Sequence, residues 1–442
     1  MMGISRLLKV PKAIVKRGLT WLTLPQAAIL FGELFFYLKG LHFQGDTNPK
    51  LARLKSVLVV RLDEIGDVVM TTPFLRELRR NLPEAWITLV VKPQVYNLVE
   101  LCPYVNEILT YDRNTTGRWP EIRQLRRHVR ALQLGWKRLW RRGFDLAVNP
   151  RWDNDLYHGI FLLYFSGAPW RVAYSEGVID RKRQANAGFD RLLTHPLNDS
   201  DLKHEVEHNL DVIRYLGGEV LDDRLELWLG EEDEEFAEQF LGNHWVKPDN
   251  LLVGLAPGAG ESKRMWPIDC FAQLGLWLQE VYGARLLVVG GPGEEPLGEE
   301  LERALGDSVV NAVGRATLRQ TAALLKRCRI FVGNDAGPMH IGAAVGVPVV
   351  EISCHPMNGK LSHPNSPKRF GPWGVSSTIL QPERALPPCS EACEAKRAHC
   401  ILGITVEQVK QAVAEQLRQY QCTAEALRTK RKKPSVPSAS LR

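Results

Sequence analysis

Short apolar runs alternate with amphipathic segments over two stretches of the chain. The first stretch opens with a β-branched run at residues 57–60, which is followed by a turn and by a helical pattern that begins near Asp67. Further strands are predicted at 86–91, 108–112 and 144–150, with helices at 95–101, 159–165 and 204–218, the last of them ended by a glycine pair. Strands that alternate with helices indicate a parallel sheet with right-handed crossovers.

The alternation returns after a linker at 221–232. Strands followed by loops are predicted at 251–260, 284–295, 329–340 and 347–352, with helices at 270–282, 318–326 and from 407 onwards. The pattern therefore predicts an α/β protein with two domains, at residues 51–225 and 226–422. Because ligands of open α/β sheets bind beyond the carboxyl ends of the strands, we expect the site in a cleft between two facing sheets.

The two ends of the chain differ from this body. Residues 1–50 join basic positions to an apolar stretch at 19–38, which Pro25 and Glu33 interrupt. This composition favours an extension that lies on a membrane surface over a full span or a removable signal peptide, and the alternative is an extension packed on its own domain. Residues 423–442 are basic and are predicted to form a disordered tail.

Composition and charge place the chain among ordinary folded proteins. Of its 442 residues, 45% are hydrophobic and 24% are charged, and most of the net charge of +7 lies at the two ends. A nucleic-acid-binding protein would more often carry its basic stripe on the folded body, so nucleic acid is not an expected partner. Within the body, residues 118–142 predict a very basic helix with eight arginines and one lysine.

Three of the eight cysteines, Cys389, Cys393 and Cys400, cluster near the end of the body, with His399 beside the last of them. Three thiols and an imidazole can bind zinc, but the spacing is not that of paired CxxC motifs. The sequence favours reduced structural cysteines, and a metal site is the minority alternative.

The turn after the first strand raises a chemical question. It carries Asp63, Glu64 and Asp67 but a single glycine, Gly66, whereas a phosphate-binding loop needs glycines and no fixed negative charge. The loops of the second domain suit a diphosphate better. Glycines and cations meet there at strand ends, in residues Gly258, Gly260, Lys263, Arg264, Asp335, Gly337 and His340. A third loop, GGPGEE, lacks the GxGxxG spacing, which argues against a nicotinamide-dependent enzyme.

Four motifs in order resemble glycosyltransferase family 9, the ADP-heptose:lipopolysaccharide heptosyltransferases, over residues 57–420. They are VLVVRLDEIGDVVMTTPFLREL, APGAGESKRMWP, VGRATLRQTAALLKRC and VGNDAGPMHIGAAVGVPVVEI. The resemblance implies a GT-B fold, with the acceptor bound by the first Rossmann-like domain and the nucleotide-sugar by the second. It also implies catalysis without a metal ion or other cofactor.

The resemblance assigns roles to individual residues. It makes Asp67 the base that activates the acceptor, and Lys263 or Arg264 the cation on the leaving diphosphate. Asp335 and His340 match the donor loop of the family, and Thr317 matches a segment that lies near the nucleotide base in the family. Gly258 and Gly337 are expected at the phosphates because of their glycine-rich loops. Simpler structural roles are also open: a helix cap for Asp67, Thr317 or Asp335, and a solvated surface turn for Lys263 and Arg264. Asp63 and Glu64 are expected to be solvated turn residues, with a contact to the acceptor as the alternative. One departure is Ala336, where many members have threonine, and it leaves donor preference open.

We therefore expect an inverting transferase that moves a heptose or related sugar to an anionic lipid-linked glycan. The resemblance implies that it works at the cytoplasmic face of the inner membrane, and the basic helix suits an anionic acceptor. The alternative is a catalytically silent membrane-associated protein that binds the same ligands, against which the presence of Asp67 argues.

Overall fold

The computed structural model describes residues 28–29, 32–33, 51–112, 126 and 129–431. The expected membrane-surface segment and the last part of the tail therefore lie mainly outside the described residues. The part of the extension that is described is helical and touches the first domain: the hydroxyl of Tyr164 donates to a carboxylate oxygen of Glu33 at 3.2 Å. None of the helices in the described ranges is both long enough and apolar enough to cross a bilayer.

Twelve strands lie in the described residues. They are β1 (Ser56–Arg61), β2 (Trp86–Val91), β3 (Glu107–Thr110), β4 (Leu146–Asn149), β5 (Trp170–Tyr174), β6 (His195–Leu197), β7 (Leu252–Ala256), β8 (Arg285–Val288), β9 (Val309–Asn311), β10 (Ile330–Asn334), β11 (Val349–Ile352) and β12 (Ser377–Leu380).

The α-helices that connect or cover them include several of a single turn. They are α1 (Ile65–Val69), α2 (Thr72–Asn81), α3 (Tyr96–Val99), α4 (Gly159–Phe165), α5 (Asp180–Ala185), α6 (Glu205–Tyr215), α7 (Glu231–Asn243), α8 (Ile268–Tyr282), α9 (Glu295–Leu305), α10 (Leu318–Leu325), α11 (Gly337–Ala344), α12 (Pro367–Phe370) and α13 (Val406–Arg431). Gly217, with a φ of 80°, follows α6 in the left-handed conformation that the glycine pair predicts.

Both domains contain the same kind of sheet. The strand order is β3-β2-β1-β4-β5-β6 in the first and β12-β11-β10-β7-β8-β9 in the second, and all pairs are parallel. Counted from the first strand of each domain, both follow the order 3-2-1-4-5-6 of dinucleotide-binding folds. The predicted pair of Rossmann-like domains is confirmed. The central strands are buried on both faces, as their continuous apolar runs require.

Four strands were not predicted from the sequence, namely β5, β6, β9 and β12. Three of these, β6, β9 and β12, are edge strands of three or four residues, and β6 contains Pro196, which only an edge position tolerates. Helix α7 also lies partly in the predicted linker. At the end of the chain, α13 continues to Arg431, so its backbone is helical in the first part of the predicted disordered tail.

A buried ion-pair network joins the two domains. Arg369 of α12 contacts Asp153, with an N–O distance of 2.6 Å, and it also pairs with Glu205 at the start of α6. All three side chains are fully buried. The guanidinium also lies over the ring of Trp152, 4.9 Å from its centroid. The pairing with Arg369 lowers the pKa of Glu205 to about 2, against the opposing effect of burial.

Candidate active site

The sequence motifs converge where the strand order reverses in each sheet. In the first sheet this point lies between β1 and β4, and in the second between β7 and β10. The loops that leave these four strands contain Asp67, Arg151, Gly258 and Asp335. Helix α1 after β1 packs against helix α11 after β10, so the two reversal points face each other. The cleft predicted from the strand pattern is therefore present.

Asp67 lies in the first turn of α1 with its carboxylate held from two sides. Its Oδ2 accepts a hydrogen bond from the backbone N–H of Glu64 at 3.3 Å, and its Oδ1 accepts one from Nη1 of Arg151 at 2.9 Å. The N-cap position is occupied by Glu64, so the alternative of Asp67 as the N-cap is wrong by three residues. Asp67, at the third helical position, still takes part in capping because it accepts the bond from the backbone N–H of Glu64, and its carboxylate is 13% exposed.

A compact charge cluster surrounds Asp67. Arg151 also contacts Asp63, with an N–O distance of 3.0 Å, and the Nε of Arg61 lies 3.3 Å from the same carboxylate. The expectation that Asp63 is a solvated turn residue is wrong, because it is only 5% exposed. Burial raises the pKa of Asp63, and the two arginines oppose this rise. Glu64 is indeed exposed, and it pairs with Lys92 at 2.7 Å.

Opposite this cluster lies a cavity of about 600 Å³. Its walls are mainly backbone and small side chains from four loops of the second domain, at residues 258–260, 290–292, 316–318 and 336–338. The first domain contributes Ile65, together with Gln94 and Asn97. Of the residues predicted to bind the donor, Gly258, Thr317 and Gly337 line this cavity. Lys263, Arg264, Asp335 and His340 lie outside its lining.

Arg264 and Asp335 form an ion pair behind the glycine loops. The Nη2 of Arg264 lies 2.9 Å from Oδ1 of Asp335, and the same guanidinium donates to the backbone carbonyl of that residue. Asp335 is buried, which raises its pKa, and Arg264 opposes the rise. The carboxylate therefore fixes the direction of Arg264. Lys263 pairs with Glu261 at 3.2 Å, and this is its one ion pair in the described part of the chain.

The neighbouring Asn334 was not singled out from the sequence. Its buried side chain accepts a hydrogen bond from the backbone N–H of Trp266 at 3.0 Å and donates one to the carbonyl of Pro257 at 2.8 Å. It thus holds the loop after β7 to the end of β10. The sequence does offer a signal for Asn334, namely an amide side chain at the end of an apolar strand and directly before the Asp of GNDAGPMH. Arg151 could have been found in the same way, because a charged residue lies just beyond the apolar strand β4.

Two further residues adjoin the cavity. The hydroxyl of Thr317 caps α10 by accepting a hydrogen bond from the N–H of Gln320 at 3.3 Å, so its capping role is confirmed while its backbone lines the cavity. Glu294, in the GGPGEE loop, accepts a hydrogen bond from the N–H of Gly291 at 2.8 Å. Its carboxylate fills the space beside Gly258, where a Cβ would lie 2.1 Å from the carboxylate oxygen.

His340 is buried at the contact between the domains. A Cβ at Gly66 would lie only 2.5 Å from its Cδ2 atom, so the ring fits because residue 66 is glycine. Burial lowers the pKa of His340 to about 3, which keeps the ring uncharged at neutral pH. A neutral histidine at this position packs the two domains together and carries no charge toward a phosphate.

Comparison with known proteins finds related sequences and structures. The family model described as glycosyltransferase family 9 (heptosyltransferase) matches residues 136–399. Among curated proteins, the lipopolysaccharide core heptosyltransferase OpsX of Haemophilus influenzae is 21% identical over 328 residues, which are 74% of this chain and 84% of that protein. Lipopolysaccharide heptosyltransferase 3 of Escherichia coli is 23% identical over 292 residues, 65% of this chain and 79% of that protein.

Solved structures are similar over most of the chain. A glycosyltransferase family 9 protein from Veillonella parvula has a TM-score of 0.67 at 22% identity, covering 83% of this chain and 98% of that one. The ADP-heptose lipopolysaccharide heptosyltransferase II of Escherichia coli has a TM-score of 0.60 at 21% identity, with coverages of 83% and 99%. These similarities confirm the predicted GT-B fold.

Proposed function

Since the chain belongs to glycosyltransferase family 9, we propose that it transfers a heptose from ADP-heptose to a hydroxyl of a lipopolysaccharide core, with inversion at the anomeric carbon. The observation that carries the proposal is the placement of the Asp67 carboxylate beside a glycine-lined cavity in the facing domain. The relatives named above are transferases, and none supports the alternative of a silent binding protein.

The cavity suits the nucleotide diphosphate part of the donor. Its volume of about 600 Å³ lies within the range of ligand pockets, roughly 300–1,000 Å³. Glycines at 258, 260 and 337 let the backbone approach a diphosphate closely, and α10 and α11 begin at its wall. The carboxylate of Glu294 is a suitable acceptor for a ribose hydroxyl. Arg264, directed by Asp335, supplies positive charge for the leaving diphosphate.

Asp67 is placed to act as the general base on the acceptor side. Arg151 holds Oδ1, whereas among the described residues Oδ2 has only the 3.3 Å bond from Glu64, so Oδ2 is the atom to receive the proton of the acceptor hydroxyl. As that proton moves, the acceptor oxygen bonds to the anomeric carbon and the carbon–oxygen bond to the diphosphate breaks. The electron pair of that bond goes to the phosphate, whose charge Arg264 stabilises.

A second cavity supports an anionic acceptor. It has a volume of about 870 Å³, lies beside β3 in the first domain, and includes Arg130, Lys137 and Arg138 in its lining. These residues belong to the predicted basic helix, of which residues 126 and 129–142 are described. Positive charge on the acceptor side raises the encounter rate with a phosphorylated glycan. We assign the acceptor to this domain and place the protein at the cytoplasmic face of the inner membrane, in contact with the lipid surface through residues 1–50.

A donor panel tests the proposed function. The purified chain is supplied with a heptose-accepting core glycolipid and with one sugar nucleotide at a time: ADP-heptose, ADP-glucose, UDP-glucose or GDP-mannose. We expect nucleotide release with ADP-heptose to exceed release with the other donors, and the release to depend on the acceptor. The Asp67→Asn chain serves as the control for contaminating hydrolases. Faster acceptor-dependent release with another donor would refute heptose as the transferred sugar.

A further inference from the structure

The structure brings Cys389, Cys393, His399 and Cys400 together, although the sequence favoured unligated cysteines at these positions. One atom from each residue, three Sγ atoms and a histidine ring nitrogen, lies within 4.8 Å of all the others. Cys393 and Cys400 are buried, and Cys389 is nearly so. All three are free thiols rather than partners in a disulfide. The cluster does not line the cavity that faces Asp67.

The distances within the cluster fit a tetrahedral metal ion. Metal–sulfur bonds of about 2.3 Å and metal–nitrogen bonds of about 2.05 Å place sulfur and nitrogen about 3.6 Å apart around a tetrahedral centre. The Nδ1 atom of His399 lies 3.5 Å from Sγ of Cys400 and 3.7 Å from Sγ of Cys389. Because one ring nitrogen faces both thiols, the adjacency of His399 and Cys400 in sequence is no obstacle to joint ligation.

Two features around the cluster also match a metal centre. The backbone N–H of Glu394 points at Sγ of Cys389, with an N–S distance of 3.4 Å, as amides do around metal-bound thiolates. Residues 381–399 form a long segment without helix or strand between β12 and the short 3₁₀ helix Cys400–Gly403. Loops of this length within a folded domain need something to order them, and a metal cross-link of their own side chains provides it.

We propose that these four residues bind one structural transition-metal ion of the thiolate-preferring class, Zn²⁺ or Fe²⁺, through a Cys₃His set. The ion orders the segment 381–399, which leads into a turn that packs behind the loop after β7. The Cys400–Gly403 turn packs on the turn Ser262–Arg264, and Nε1 of Trp266 donates to the carbonyl of Ile404 at 2.9 Å. With all four positions filled by protein ligands, the ion has no open site for substrate and takes no part in the transfer.

Elemental analysis of the full chain tests the site. The chain is purified by a tag that needs no metal column and is analysed by mass spectrometry for bound elements. We expect one zinc or iron ion per chain, and the element found decides between the two. A chain with far less than one ion, which also takes up none when produced in medium supplemented with both metals, would overturn the proposal.

Variants locate the ion. Cys393→Ser and His399→Ala should lose it, whereas His399→Cys should keep it as a Cys₄ site, and Cys270→Ser, a thiol outside the cluster, should not change it. Equal metal content in the wild type and in Cys393→Ser would place the ion elsewhere and refute the assignment. Should Cys393→Ser fail to fold, the wild-type chain made with Co²⁺ gives a second test: strong visible absorption of tetrahedral, thiolate-bound cobalt is expected, and weak octahedral absorption would contradict the site.

Discussion

The ring of His340 occupies the space that a side chain at residue 66 would need. A Cβ on Gly66 would lie 2.5 Å from Cδ2 of this histidine, closer than real contacts allow. The single glycine in the acidic turn after β1 is therefore explained by the contact between the domains. It lets α1 approach α11, and it thereby sets how far Asp67 stands from the cavity of the second domain.

Gly66→Ala should force the two domains apart at this contact. We expect the free energy of unfolding to fall by about 1–3 kcal/mol, as for other overpacked sites, and turnover to fall with it. Chemical denaturation and an activity assay measure the two effects. Gly242→Ala is the matched control, because a Cβ at that helical position meets no atom within 4 Å. Adding His340→Ala should recover part of the Gly66→Ala loss, and strict additivity of the two losses would contradict the steric explanation.

Asp67→Asn tests the general base. The amide oxygen can still accept the bond from Glu64, so the fold and the affinity for ADP should persist. Turnover should fall about 10²–10⁴-fold, because a carboxylate that accepts the proton is gone. Calorimetry with ADP and an assay of nucleotide release separate binding from catalysis. Glu64→Gln, at the exposed neighbouring carboxylate, should keep nearly full turnover. A near-normal rate in Asp67→Asn would remove this residue from the mechanism.

The proposed roles of Arg264 and Lys263 can be distinguished by replacing each residue with glutamine in turn. Asp335 holds the guanidinium of Arg264 in place, whereas Lys263 forms an ion pair with the more exposed Glu261. Arg264→Gln should therefore lower kcat by about 10²-fold or more, as loss of a preorganised charge does. Lys263→Gln should have a much smaller effect. The reverse order of the two losses would assign the diphosphate to the lysine.

Nucleotide release should be insensitive to EDTA and to added Mg²⁺. The sequence of the second domain contains no Asp-x-Asp pair that could hold a metal on the diphosphate. In the first domain, Asp153 and Asp155 form such a pair after β4, but their carboxylates are used by Arg369 and by the N–H groups of Gly159 and Ile160. A second such pair, Asp199 and Asp201, follows β6, and there Asp199 is paired with Lys203 at 2.7 Å. An EDTA-induced loss that Mg²⁺ restores would contradict metal-free transfer. A slow loss that only Zn²⁺ or Fe²⁺ restores would instead report on the cysteine cluster.

Deletion of residues 1–40 should move the protein from the membrane fraction to the supernatant while a soluble acceptor is still used. This deletion also removes the contact of Glu33 with Tyr164, so a loss of stability is expected with it. Deletion of residues 1–26 keeps that contact and isolates the membrane effect. Flotation with anionic vesicles measures the binding. Unchanged binding after both deletions would assign the extension a purely structural role.

The long, buried elements could be predicted from the sequence because their patterns are local. The runs of hydrophobic residues in β1 and β2, and the helical spacing of hydrophobic residues in α8, can be read directly from the sequence. Strands such as β6 and β9 could not be predicted, because three residues carry no period and become strands only by pairing with a neighbour. The extent of α13 was similarly missed, since a basic, polar composition resembles that of a disordered tail.

The candidate site could likewise be predicted only in part. Glycines after strands predicted where the cavity forms, since parallel strands bring their carboxyl ends to one edge, whereas the predicted cations Lys263 and Arg264 lie outside its lining. The pairing of Asp63 with Arg151 was not predictable, because 88 positions separate the two residues and only the adjacency of β1 and β4 joins them. The spacing of the cysteines in the sequence argues against a metal site, whereas the distances between their Sγ atoms depend on how the segment around them folds.

The network of Arg369, Asp153 and Glu205 restricts how this protein could recombine with its relatives. If the first domain binds the acceptor, as proposed, a foreign first domain could be joined to this second domain to change the acceptor. A foreign domain that lacks both carboxylates would leave the buried guanidinium of Arg369 without a counterion, at a cost of about 3–5 kcal/mol. Functional chimeras must therefore inherit the three residues or replace them together, so this interface filters which first domains the second domain can acquire by exchange.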